Sequence, residues 1–479
     1  MASSFRDPDG FVMVAGGRVL RFLNRSGDRN LQEFFATKFA RQAVAAGQLV
    51  GSSPVDLNSV SSLLKFPSGL QRSFGASNEI HAVLEHELIS FQSFPYEWAP
   101  EMLHAAGVLT LDLAEGALPE GFSLKDATPY NILFRSTKPI FVDVSSFEKR
   151  DGTDPIWLPY AQFVRTFILP LLATEVLGLR LDQIFLTRRD GLEPEDVYRL
   201  CGFARRLRPP FLTLASIPTW LAGKSDPKSE AVYRQRRQVS EEQSTFTLER
   251  LFKRLRRQLE QAKPRGRGAS SWSEYMASVE TFPPNYLSEK EGFLQEVLAE
   301  FKPEKLLDVG CNTGHFSVIA ANKGSSVVAI DQDPLVIAAL WRQAAEQHLN
   351  IQTLVVDFAR PSPAVGWCNA ENPSFLDRAR GSFDAVLMLA LVHHLLVTER
   401  VPLNQVFSLA AAMTTDLLIV EFVGPTDPMF RRLLRGRGQL FEGFSREVFE
   451  DAYQEQFSLI RSKRLGQTDR WIYLLRKKA

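Results

Sequence analysis

Asp308, Asp331 and Asp357 each stand at the end of a short apolar run: Leu306-Leu307, Val327-Val328-Ala329-Ile330, and Ile351 to Val356. Runs of that length and character fit parallel strands covered on both faces. A carboxylate at a strand tip can grip a ribose diol, and Asp331, 23 residues after Asp308, has a suitable spacing for that work. Asp357 at a third tip can meet an adenine amino group. Between the first two carboxylates lies Gly310-Cys311-Asn312-Thr313-Gly314. Its glycines let the backbone turn sharply and approach a ligand, and the helix expected to open at His315 aims free N–H groups and a partial positive charge at it. Gly-x-x-x-Gly alone is a weak signal, without the lysine and hydroxyl that a phosphate-binding loop places after its second glycine. The dinucleotide pattern Gly-x-Gly-x-x-Gly is absent as well. The residues therefore describe a pocket for a ligand with a ribose and an adenine, laid along the carboxyl ends of three strands.

The elements that must hold these residues alternate between strand and helix. Phe383 to Leu389 reads as a fourth strand, Val401 to Met413 as a helix and Asp416 to Phe422 as a fifth strand. Phe457–Arg461 and Trp471–Leu475 suit a closing antiparallel hairpin, which makes an open α/β sheet of seven strands.

Residues from about 272 to 479 resemble a class I S-adenosylmethionine-dependent methyltransferase, with a Rossmann-like seven-stranded fold. The resemblance implies that Asp308 and Gly310 lie beside the amino-acid half of S-adenosyl-L-methionine, that Asp331 holds its ribose and that Asp357 meets its adenine. Asn312, Gly314 and Leu389 complete the expected cofactor contacts. Many members have glycine where this chain has Asn312, so that side chain must either turn away from the cofactor or bond to it. Methyl transfer from a sulfonium is an in-line displacement, so the protein mainly aligns two reactants. An acceptor that loses a proton can also need a base, for which His393, His394 and Glu421 are the candidates, just past strands four and five. Each histidine has an alternative role as a hydrogen-bonded shaper of the pocket roof. No metal-ligand set is evident around them.

Trp272, Tyr275, Tyr286 and Lys290 precede the first strand, where they can cap the cofactor or anchor the linker; Lys290 can face a carboxylate or phosphate. A second variable wall is Gly424 to Gly438, whose Arg431, Arg432, Arg435 and Arg437 suit an anionic acceptor or a solvated helix face.

The first half has its own signal. Asp126, then Asn131 five residues on, then Asp143 closing the run Pro139-Ile140-Phe141-Val142 resemble the catalytic and metal-binding loops of protein kinases and aminoglycoside-type phosphotransferases. Leu124 and Lys125 stand where His and Arg are usual, Val144-Ser145 follows Asp143, and the Gly16-Gly17 turn supplies no strand lysine for phosphates. The expectation is an α+β accessory domain over 1–222 with a degenerate kinase-like fold. The phrases Lys125 to Asn131, Val309 to Gly314 and Leu389 to Leu395 together resemble the rhizobial nodulation host-specificity methyltransferases and their wider bacterial relatives.

A charged linker is expected over 223–271, around a helix from Phe246 to Gln261. That helix sets Leu248, Leu251, Phe252, Leu255 and Leu259 on one face and Arg250, Lys253, Arg254, Arg256 and Arg257 on the others. It is either a connecting helix packed on one domain or a basic helix that touches RNA or an acidic surface. The chain's 479 residues exceed one core. Its 56 basic and 55 acidic residues give no global pull toward nucleic acid or anionic membranes. Cys201, Cys311 and Cys368 have no disulfide-framework spacing, which suits a reducing compartment. Phe167 to Leu179, broken by Pro170 and Glu175, is shorter than the about 20 residues a membrane span needs and reads as a buried helix. The N-terminus lacks the apolar core of a signal peptide. The expectation is thus a cytoplasmic methyltransferase acting on a small molecule or glycan precursor, with RNA methylation or a non-catalytic scaffold as rivals and the oligomeric state open.

Overall fold

The computed structural model of the chain describes residues 7–60, 80–222, 239–266, 285–434, 436 and 438–478. Trp272, Tyr275, Arg435, Arg437 and most of the two linker stretches lie outside the described residues.

The first half begins with β1 (Gly10–Ala15) and β2 (Arg18–Leu23), joined by Gly16 and Gly17 at φ +58° and +76°. That left-handed pair gives the tight turn whose twist matches a hairpin. With β3 (Ser52–Val55) and β4 (Ala82–His86) they form an antiparallel sheet in the order β1-β2-β4-β3. Two small two-stranded sheets follow, one from β5 (Phe122–Leu124) and β8 (Phe147–Lys149), the other from β6 (Ile132–Arg135) and β7 (Lys138–Phe141). The central element is the helix Pro100–Ala117, which opens with proline at its first position and is buried on nearly every side.

The helix expected from Phe246 to Gln261 starts earlier, at Glu241. The side chain of Ser240 accepts from the Gln243 backbone N–H at 3.2 Å, and Glu241 and Glu242 sit in the positive first turn, so residues that read as polar linker are a capped helix start. Its Leu248, Phe252, Leu255 and Leu259 are buried against the Pro100–Ala117 helix, where Leu259 packs on Gly107. Arg256 pairs with Asp112 and Glu115 at 2.8 and 2.7 Å. The apolar stretch after Phe163 is helical and buried, with a π-helical turn at Val164–Ile168 and Pro170 in the first turn of Leu169–Leu177. None of the described helices is long and apolar enough to cross a membrane.

The second half is a seven-stranded sheet. Its strands are β9 (Lys305–Val309), β10 (Ser326–Asp331), β11 (Ile351–Val355), β12 (Phe383–Met388), β13 (Thr414–Val423), β14 (Phe457–Arg464) and β15 (Arg470–Lys477), in the order β11-β10-β9-β12-β13-β15-β14. The first five run parallel, and β15 alone opposes them, pairing antiparallel with β13 on one side and β14 on the other. The fifth helix-strand boundary shifts from the expectation: the helix is Leu403–Met413, because Pro402 takes the extended N-cap conformation.

The halves share a core. A single apolar cluster runs from Leu23 and Phe34 through Met102 and Leu111 to Leu306, Ile351 and Leu474. The contact surface is the edge strand β11, beside which lie residues 91–102: Gln352 Nε2 donates to the Phe91 carbonyl at 3.0 Å. At the centre of this seam Glu97 is fully buried and pairs with Arg378 and Ser362. The Arg378 guanidinium lies 5.2, 5.1 and 5.7 Å from the ring centres of Phe91, Phe94 and Phe375.

Candidate methyl-donor site

The parallel strands diverge on either side of β9, with β10 and β11 to one side and β12 and β13 to the other. Ligands in open α/β sheets bind in the crevice at the carboxyl ends of strands at such a reversal. A cavity of about 310 Å³ opens there, lined by residues at the ends of β9, β10, β11 and β12, by the start of the helix Tyr286–Phe301 and by the helix Val392–Val397.

Asp308, Gly310, Asn312, Asp331, Asp357, Leu389 and His394 all line this cavity. Asp308 is buried, and its Oδ2 accepts from Ser317 Oγ at 2.6 Å. Burial pushes its carboxyl up to about 6, against the opposing pull of Ser317 and Lys290. Asp331 accepts the backbone N–H groups of Asn312 and Asp333, each at 3.0 Å, yet burial still raises its pKa. Asp357 accepts the Ala359 N–H at 2.9 Å and pairs with Arg360.

The departure at Asn312 has a local explanation. Its φ is +51°, the left-handed region that glycine usually fills and asparagine tolerates. Its Oδ1 accepts the Thr313 N–H at 2.6 Å, so the side chain folds back on the turn. Ala390, at φ +52° on the cavity wall, has no such compensation from its methyl group, a cost of about 1–2 kcal/mol.

Three expected residues do not line the cavity. Gly314, at φ +83°, leaves room for Leu340, whose Cδ1 would stand 2.2 Å from an added Cβ; the glycine serves helix packing. His393 is buried, its Nδ1 finds no hydrogen-bond partner among the described residues, and burial with the neighbouring His394, Arg470 and Lys290 holds its pKa far below the ordinary value. Glu421 is wholly buried and bound by Lys290 Nζ at 2.6 Å, Tyr286 Oη at 2.7 Å and Arg470 Nη1 at 3.4 Å. Burial works against its charge, but Lys290 and Arg470 outweigh it and hold the carboxyl low. Such a carboxylate is already neutralised and makes a poor proton acceptor, so the base expected at Glu421 is corrected to an ion-pair anchor. Arg470 also binds Asp427, at 2.7 and 3.0 Å.

Lys290 and Tyr286, expected as a cap, do line the cavity, but Lys290 spends its charge on Glu421. Gln332, Val356, Phe358, Thr398 and Glu399 were missed. The first three neighbour a strand-end carboxylate and could have been found by that adjacency; Thr398 and Glu399 carried no signal.

A pH test follows from Asp308. A carboxyl raised in the fold binds its proton more tightly there than in the unfolded chain, so its ionisation destabilises the ligand-free protein as pH rises through about 4 to 6, by about 3 kcal/mol in full. Asp308→Asn is expected to melt higher than the parent above about pH 7, with the difference shrinking as pH falls through about 6. A variant that melts lower at every pH would contradict this.

In the first half, Asp126, Asn131 and Asp143 also converge. Asn131 Nδ2 donates to Ser146 Oγ at 3.1 Å, and Ser146 Oγ donates to Asp143 Oδ2 at 2.6 Å. Buried Arg21 from β2 donates to Asp143 Oδ1 at 2.7 Å and to His86 Nε2 at 3.0 Å. Burial opposes the charge on Asp143, and Arg21 with Ser146 overcomes it and lowers its pKa. Among the described residues Asp126 receives one long bond, from Gln162 at 3.4 Å.

Residues 307–413 match the family described as a methyltransferase domain. The chain is 29% identical over 479 residues to the nodulation protein NoeA of Rhizobium meliloti strain 1021, covering 99% of this chain and 95% of that protein. Among solved structures, the PH0226 protein of Pyrococcus horikoshii OT3 is similar at 19% identity and a TM-score of 0.31, over 44% of this chain and 100% of that one. The N-methyltransferase NodS of Bradyrhizobium japonicum WM9 is similar at 15% identity and a TM-score of 0.31, over 41% of this chain and 98% of that one. With the family match running across the strands that build the cavity, the chain is an S-adenosylmethionine-dependent methyltransferase.

Proposed function

We propose that the cavity transfers the methyl group of S-adenosylmethionine to a small-molecule or glycan-precursor acceptor. The observation that carries this reading is the convergence of Asp308, Asp331 and Asp357, from three successive strand ends, on one cavity beside Gly310. Asp331 would hold the ribose hydroxyls, Asp357 the adenine amino group, and Asp308 with Gly310 the amino-acid half; Leu389 would pack on the ligand. Four carboxylates line the cavity, Glu399 being the fourth, against Lys290 as the one lysine or arginine among its described residues. Arg360, outside the lining, is shared by Asp357 and Glu399, which leaves Asp308 and Asp331 as the carboxylates to face a sulfonium and an ammonium. The cofactor supplies the methyl electrophile. Arg256 of the basic helix is consumed by Asp112 and Glu115, and Arg250 and Arg254 lie over Phe246 and Tyr160, an arrangement that favours a small acceptor over RNA.

Asp331→Ala is expected to weaken cofactor binding by about 1.5–3 kcal/mol, tenfold or more. Calorimetry that finds unchanged affinity would remove Asp331 from the ribose site.

His394 is the cavity's remaining candidate for contact with the acceptor. Burial and Arg470 depress it to about 4, so it stays neutral at physiological pH and is a weak base. His394→Ala is expected to keep cofactor affinity and lose turnover, and the parent's kcat should show no rise with pH near 6.5 that the variant abolishes. Equal loss of affinity and turnover would make His394 a structural residue.

The first half, with the Glu241–Gln261 helix, would act as an accessory domain that shapes the acceptor site from a degenerate kinase-like fold, its boundary with the methyltransferase half falling near residue 271. The Arg21 guanidinium sits on Asp143, the carboxylate that the resemblance gives to magnesium, and this supports an accessory role in place of phosphotransfer.

A further inference from the structure

The helical end of the first half carries a surface that the methyl-donor cavity does not use. Helices Pro194–Leu200, Phe203–Arg206 and Ile217–Ala222 gather around a π-helical turn at Leu212–Ser216. Internal bonds tie them together. Arg206 Nε donates to the Cys201 carbonyl at 2.9 Å, its guanidinium lies 4.1 Å from the Tyr198 ring centre, and Trp220 Nε1 donates to Tyr198 Oη at 3.3 Å.

Leu200, Phe203, Ile217 and Trp220 on these elements, and Leu207 just past Phe203–Arg206, are all exposed, Phe203 to 76%. Single exposed apolar residues are ordinary, but these five, gathered on and beside three short helices around one turn, make a patch. Its charge is mostly basic. From Arg199 to Ala222 the chain carries four arginines and no acidic residue. Arg199, Arg205 and Arg208 are exposed, and none of them forms a salt bridge among the described residues. Two of the nearby acids are already paired, Asp196 with Arg188 and Glu193 with Arg165, which leaves Glu195, one turn before Arg199, beside the arginines.

We propose that this face docks the protein peripherally on an anionic lipid bilayer. Rings and aliphatic side chains enter the boundary between head groups and acyl chains, while guanidinium groups meet lipid phosphates, and this face presents both together. A phenylalanine with three quarters of its surface in solvent projects outward, which suits insertion into a head-group layer better than a flat protein interface.

The test is cosedimentation of the full chain with vesicles of phosphatidylcholine alone and with phosphatidylglycerol mixed in. The protein is expected to pellet with the anionic vesicles only and to be released as salt rises. Arg199→Glu with Arg205→Glu should lower the partition coefficient about tenfold or more. Phe203→Ser with Leu207→Ser should abolish pelleting while the melting temperature and cofactor affinity stay at parent values, which shows that the fold is intact. Failure to pellet with anionic vesicles, or pelleting unaffected by either pair, would overturn the proposal. So would a concentration-dependent dimer that Trp220→Ser dissociates, since the patch would then belong to a second copy of the chain.

Discussion

Glu421→Ala is expected to lose about 3–5 kcal/mol of stability and to weaken cofactor binding together with turnover. The reason lies in what remains. Lys290 keeps its ammonium with only 5% of its side chain exposed, and Arg470 its guanidinium with 1%, in a site where removing one partner strands the other charges. Arg470 retains Asp427, but Lys290 loses the carboxylate 2.6 Å from its Nζ. Tyr286 Oη loses its acceptor as well, and Tyr286 lines the cavity, so the damage reaches the ligand. Denaturant titration and calorimetry on the same preparation decide the matter. Glu421→Gln with parent stability and parent cofactor affinity, but without turnover, would restore the base role that the ion pairs argue against. A double change of Lys290 to Met and Glu421 to Leu should recover part of the lost stability, because well-packed apolar residues can replace a buried ion pair.

The second large effect is expected at the seam between the halves. Glu97→Ala leaves Arg378 buried among three phenyl rings with only the neutral carbonyls of Gln92 and Ser374 as acceptors among the described residues, at a cost of about 3–5 kcal/mol. Because one apolar cluster spans both halves, the parent should unfold in one calorimetric transition. The variant should melt lower, and its transition should broaden or split as the halves uncouple. A urea titration that places Glu97→Ala within about 0.5 kcal/mol of the parent would remove this seam from the stability of the protein.

The legible part of the site was the part made by local sequence. Buried parallel strands write themselves as apolar runs, and a carboxylate at the end of such a run points to the sheet edge, which is why Asp308, Asp331 and Asp357 could be placed together. The turn at Asn312 was legible too, although only the structure shows its side chain accepting the Thr313 N–H. What escaped was made by residues far apart in the chain. Arg470 reaches Tyr286 across 184 positions, and Arg378 reaches Glu97 across 281. Neither pair shares a periodicity or a motif, so Glu421 read as a free strand-end carboxylate. The packing role of Gly314 was hidden for a related reason: a glycine needed by a ligand and one needed by a leucine from the next helix look alike in sequence. In the first half Asp126, Asn131 and Asp143 were found by their spacing, whereas Arg21, which occupies Asp143, comes from a strand 122 positions away.

The seam at β11 bears on how this chain can be handled and made. All five residues of β11 are buried, and it is the last strand of its sheet, so its outer rim is shielded by the segment near Phe91 and the Pro100–Ala117 helix. A fragment that starts after the linker would carry an apolar strand with open backbone donors and acceptors, a template for pairing with another copy. Such a fragment should precipitate on expression even though its cofactor cavity is complete. On the ribosome the order of synthesis avoids the hazard, because the shielding half emerges first and is available when Ile351 to Val355 leave the exit tunnel.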